Sequence, residues 1–351
     1  MRDVGALALQ PRAIMLAADA GSDAIREMQD ILPSGITEEG LAARLGVEAT
    51  LSWVLDLMRG EVPEAVRFFL LMLGAGVLYA LATTLGERRR ELGSAMRAGV
   101  GAILGVCVWS VLTPLALDAV ETVREMARLC TLALPIFVGV HTATGAGESA
   151  LATAAGLGGL VSVMEWLLSG VFLPVPCLYL GVSLIGSVGE EGSVVRLGNH
   201  LYRLFLSCMG LFGVVVSGVM SLQSALASAK DTLLLRTVRH ATGTMIPVVG
   251  STVSGALSTL LYGGAYAKQT VGTMALLGLL SVSLPLLCRL LLCRMAMGGL
   301  TLLPVSLTEG MGLFDTVRRA LDLLLAMLSM AVALFLLAVI LFLKSGGGYI
   351  A

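Results

Sequence analysis

The chain has 351 residues, 57% of them hydrophobic and only 13% charged, with a formal net charge of −1 and a mean hydropathy of +0.91. Soluble globular domains carry about 25% charged residues, so this composition excludes an ordinary soluble enzyme. The near-zero balance also excludes a general basic field for nucleic acid.

Residues 1–65 are the one extended polar region, with five arginines and eleven acidic groups. The early apolar stretch is short and is broken by Pro11 and Arg12, with Asp19 and Asp23 beyond it. That is not the pattern of a signal peptide. The first span is expected to act as the insertion signal unless a leader precedes it. Thr37 followed by Glu38 and Glu39 reads as a helix N-cap with acids in the first turn. Leu51, Val54, Leu55 and Met58 then repeat on one face of an amphipathic helix. That face packs on the protein's own spans, on the membrane surface or on a partner.

The first span is predicted over about 66–86 and the second over about 98–117. Between them stand Arg88, Arg89, Arg90 and Arg97. Positive loops stay cytoplasmic, which places Arg88–Arg90 inside and residues 1–65 outside. Residues 118–130, with Asp118, Glu121, Arg124, Glu125 and Arg128, read as a surface helix on the outer side. The apolar stretch 131–147 contains Pro135 and three glycines and reads as re-entrant.

Spans follow at about 150–169 and 171–188, with Pro174 and Pro176 opening the second, where a missing N–H costs little. Glu190, Glu191, Arg196, His200 and Arg203 mark a loop before a span at about 204–222. A positive stretch runs from Lys230 to His240, and a glycine-rich apolar segment from Gly243 to Gly264. Pro247 flanked by Gly243 and Gly250 predicts a broken helix or hairpin there. A span at about 270–287 leads to Arg289 and Arg294, placed near a span end where long side chains snorkel; Arg67 reads the same way. Residues 323–343 close the chain with twenty-one positions free of charge, the length of one crossing. The C-terminus is expected outside.

The fold class predicted is all-α: a polytopic transmembrane bundle of about seven or eight segments, some broken or re-entrant. Its regions are 1–65 outside the cytoplasm, a membrane domain over 66–345, and a tail over 346–351. Pairs four residues apart, such as Gly101 with Gly105 and Ala154 with Gly158, let helix backbones approach closely. They serve packing within the chain or self-association into a homo-oligomer.

Catalytic patterns are absent from the sequence: no HExxH, no GxSxG and no phosphate-binding GxxxxGK[ST]. The six cysteines lack CxxC spacing and read as small buried hydrophobes. The three histidines are far apart, so neither a metal site nor any cofactor is expected. Two acidic residues near apolar runs are candidate intramembrane polar groups, because such charges are costly and often functional. Glu148 reads as a surface loop residue or a polar lining residue. Glu165, beside Trp166, reads as an interfacial group.

The segment 231–256, DTLLLRTVRHATGTMIPVVGSTVSGA, resembles the signature region of the stage III sporulation protein AE family. The matching positions are Arg236, Thr237, Arg239, Ile246, Pro247, Val248, Val249, Gly250, Val253 and Ser254. The apolar block 132–147, the start of the next span at Lys268–Gly272 and the Leu-rich closing helix follow in the family's order, so the resemblance covers roughly 64–345. Gly255 departs from the pattern, standing where an acidic residue is common. The resemblance implies a non-enzymatic subunit of the channel-like complex between mother cell and forespore, in the outer forespore membrane. It implies sibling stage III membrane subunits, a secretion-type ATPase and ring-forming proteins as partners, and Arg236, Thr237, Arg239, Pro247, Gly250 and Ser254 as the assembly motif. The residues alone leave a rival open: a secondary transporter with a substrate site at broken helices.

Overall fold

The computed structural model describes the backbone of residues 47–87, 90–143, 147–189, 192–245, 250–300 and 311–344. Side chains are described chiefly over 55–81, 99–136, 154–185, 196–223, 272–300 and 314–341. Within these residues the protein is wholly helical. The elements are α1 (Val47–Glu87), α2 (Arg90–Ala143), α3 (Gly147–Trp166), α4 (Pro174–Gly189), α5 (Gly192–Met245), α6 (Gly250–Leu300) and α7 (Met311–Lys344). Among the described residues six segments are long and apolar enough to cross a membrane, α3 and α4 forming one of them.

The helices are longer than the spans read from the sequence. α2 and α5 each have 54 residues, about 80 Å at about 1.5 Å per residue. Residues 118–130 are therefore not a separate surface helix. They form the middle of α2 and bury Ala119, Val123, Met126, Leu129 and Cys130 in the core. The stretch from residue 131 continues the same helix to Ala143, with Pro135 inside it, and is not re-entrant up to that point. The polar stretches at 196–203 and 230–240 likewise belong to α5. Charge patterning suggested a surface helix over 118–130 and a loop before 204, and at 118–130 the buried face carries α2 through without a break.

The two spans expected at 150–169 and 171–188 are one continuous helical rod. Trp166 and Leu173 both hold right-handed helical angles, φ −59°, ψ −44° and φ −68°, ψ −38°. Between them Leu167–Phe172 widens into a π turn, in which the Leu173 N–H donates to the Leu168 carbonyl at 3.1 Å. Pro174 has no N–H for the carbonyl four residues back and would crowd it, and a widened turn just before it relieves that contact.

α7 is the most buried of the six spans. It packs against α6, α5, α4 and α2, while α6 also packs on α1 and α2. Leu321, Leu323, Met327, Leu328, Ala331 and Phe335 of α7 are fully buried. Phe172 from the π turn sets its ring 5.8 Å from Phe205 and 5.3 Å from Phe212 of α5. The hydroxyls of buried Ser281 and Ser283 donate to the carbonyls of Gly278 and Leu279 on their own helix, so each donor is satisfied without a partner helix.

Close helix approaches fix the directions. A Cβ on Gly76 of α1 would stand 2.6 Å from the Phe314 ring of α7, and a Cβ on Gly158 of α3 would stand 3.0 Å from Leu134 of α2. We expect Gly76→Val to lower the thermal stability of the detergent-solubilised protein by about 1–3 kcal/mol, the usual cost of overpacking. Adding Phe314→Ala should recover part of that loss in the same melting measurement.

Candidate functional site: a charged layer across the bundle

Arginines placed among apolar helices are stable only with acceptors for their donors. Arg289, on α6, finds two. Its guanidinium donates to Glu64 of α1 at 3.3 Å and to Asp118 of α2 at 3.4 Å, and so ties three helices at one point. Five residues on, Arg294 is ion-paired with Asp322 of α7. One turn before Asp322, Arg319 pairs with Asp315 at 2.7 Å. Arg319 also donates to Asn199 of α5 and lies 6.0 Å from the centre of the Tyr202 ring, close enough for a cation–π contact. Tyr202 in turn stands 6.0 Å from Tyr179 of α4. The chain of contacts thus joins α1, α2, α4, α5, α6 and α7.

The layer separates two apolar tiers. Gly76 of α1 lies beside Phe314, so α1 beyond Glu64 runs alongside the start of α7, and α7 beyond Asp322 runs the other way. Asn199 faces Arg319 and Gly213 faces Met330, so α5 runs parallel to α7. The apolar runs of α1 and α2, over 66–86 and 98–117, therefore lie on one side of the charges. Those of α5 and α7, over 204–222 and 323–343, lie on the other. Each tier is about 30 Å deep, the thickness of one hydrocarbon core. Both expose large apolar side chains, including Leu78, Ile103 and Val106 in the first tier and Leu211, Val214 and Leu222 in the second.

Arg289 and Arg294 do not simply snorkel from span ends; each is paired with a carboxylate on another helix. Glu64, Asp118 and Asp322 were not singled out from the sequence, because each borders an apolar run and has the ordinary look of an interfacial charge. Their positions at the ends of three separate runs were the available signal. The residues predicted from the motif are distributed differently. Arg236, Thr237 and Arg239 lie near the end of α5, and Gly250 and Ser254 in the first turns of α6; their side chains lie outside the described residues. Pro247, and with it the predicted break, also lies outside them. Glu148 falls in the first turn of α3, its side chain again not described. Glu165 is half-buried beside the exposed Trp166, and its backbone carbonyl accepts the Ser169 hydroxyl at 2.6 Å. Among the described residues Glu165 is not paired with any of the layer's arginines.

Two crevices among the described residues are mainly apolar, one deep in the second tier and one beside the layer. One is lined by Cys130, Ala133, Leu134, Leu157, Val161, Ala338 and Val339. Another lies among Trp109, Leu112, Pro176, Leu180 and Leu324. The polar groups described here tie helices together and do not converge on either crevice.

A family model described as stage III sporulation protein AE matches residues 41–346. A stage III sporulation protein AE from Bacillus subtilis (strain 168) is 25% identical over 165 residues, a stretch covering 47% of this chain and 41% of that protein. No solved structure matches.

We expect Arg294→Asp alone, or Asp322→Arg alone, to lower stability by about 1–3 kcal/mol. That range is below the cost of breaking a fully buried pair, since both side chains keep some exposure. The double reversal should restore most of the loss, as read from thermal unfolding in detergent.

Proposed function

Because this chain belongs to the stage III sporulation protein AE family, we propose that it is a non-catalytic membrane platform or conduit in a channel-like complex between mother cell and forespore. Its expected site is the outer forespore membrane. The proposed partners are sibling stage III membrane subunits, a secretion-type ATPase and ring-forming proteins.

One observation carries this reading. The bundle holds two apolar tiers, and one bilayer core of about 30 Å covers only one of them. The exposed leucines, isoleucine and valines of the other tier are left for protein partners, since apolar patches of that kind mark interaction surfaces. The charged layer suits the same role. Its side chains are engaged in holding helices in register, which favours a scaffold over a site that binds and releases a small solute.

The test is co-purification of the partner subunits together with spore counts. Leu78→Ser with Val106→Ser should reduce partner recovery several-fold while the chain still reaches the membrane. Pro247→Leu and Gly250→Leu should also weaken assembly and sporulation, through the motif that shapes the backbone. Glu165→Gln should leave both near normal. Unchanged assembly in the first three variants, with a complete block from Glu165→Gln, would instead support a charge-dependent transport site.

A further inference from the structure

α5 and α6 each pack on α7, and no comparable contact joins them to one another among the described residues. They form the walls of a trough whose floor is the outward strip of α7. On that strip Ser329 and Ala333 are exposed and small, so the floor is low. The α5 flank beside this strip carries Val214, more than half exposed, with the exposed small residues Ser207, Gly210 and Ser221.

One end of the trough is basic. His200 and Arg203 of α5 and Arg318 of α7 are exposed there. Arg319 is already matched to Asp315, and Arg294 to Asp322. Among the described residues no carboxylate pairs with Arg203 or Arg318. At 100° per residue, Arg203 shares a face of α5 with Gly210 and Val214. A surplus of positive charge therefore caps a low channel whose floor runs along Ser329, Ala333 and Ile340 of α7. We propose that this trough binds an anionic phospholipid, with the phosphate at Arg203 and Arg318 and the acyl chains along Ser329, Ala333 and the α5 wall. The arginines supply forked donors to phosphate oxygens, and basic pockets between membrane helices favour acidic headgroups. A neutral headgroup gains nothing from the uncompensated charge, and an apolar partner helix would leave it buried.

The test uses the full chain purified in mild detergent and titrated with phosphatidylglycerol or phosphatidylcholine, with lipid adducts read by native mass spectrometry. Phosphatidylglycerol should bind preferentially, and its binding should weaken as ionic strength rises. Arg203→Gln with Arg318→Gln should weaken that binding by about tenfold or more, from the loss of two favourable charges. Ala333→Phe, which fills the floor without changing charge, should weaken it as well, while Arg124→Gln on the exposed face of α2 should not. Inorganic phosphate should fail to displace the lipid. Equal binding of the two lipids, indifference to both trough variants, or an equal loss in Arg124→Gln would overturn the proposal. Displacement by inorganic phosphate would show a site for the free anion, and a lipid-free dimer abolished by Ala333→Phe would show a second copy in the trough; either result also overturns it.

Discussion

A guanidinium surrounded by apolar helices cannot give up its charge, and it is costly to leave unpaired. In this bundle that constraint is met by reaching across helices. Arg289 takes one carboxylate from α1 and one from α2, Arg294 takes one from α7, and Arg319 joins α7 to α5. Apolar packing between membrane helices is weakly directional, because lipid tails are as apolar as leucine. Sliding one helix by a turn along another changes apolar contact little. It would, however, part these charges. The ion pairs therefore set the vertical register of the spans, and the glycine contacts at Gly76 and Gly158 set how close the helices come.

The register so fixed has a consequence for the membrane. It stacks the apolar runs of α1 and α2 end to end with those of α5 and α7, with the charges between. The result is a bundle with more apolar length than one bilayer covers. A protein of this shape exposes apolar surface beyond what one bilayer core takes up. The basic end of the α5–α7 trough lies at the same level as the layer, where an acidic headgroup would meet the border of the second tier.

Much of the architecture was legible in the sequence. The helical class, the membrane location and the family followed from apolar runs and from the ordered blocks around 231–256. Helix boundaries were less legible. Asp118, Glu121, Arg124, Glu125 and Arg128 look like the end of a span, yet α2 continues through them because its other face buries Ala119, Val123 and Met126. Pro174 and Pro176 look like the start of a new helix, yet a π turn absorbs them into the old one. The charged layer was not legible. Each of its residues has an ordinary interfacial appearance in one dimension, and pairing across 225 positions, as between Glu64 and Arg289, appears only when the helices are set side by side.

The account rests on Arg289 as the tie among α1, α2 and α6. Double-mutant cycles of Arg289→Gln with Glu64→Gln and with Asp118→Asn, followed by unfolding of the protein in lipid nanodiscs, measure that tie directly. The account predicts a favourable coupling of about 0.5–3 kcal/mol in each cycle, the range for residues in one ion-pair network. Additive losses in both cycles would mean that the charges do not act on one another, and that the register of the bundle is held by something else.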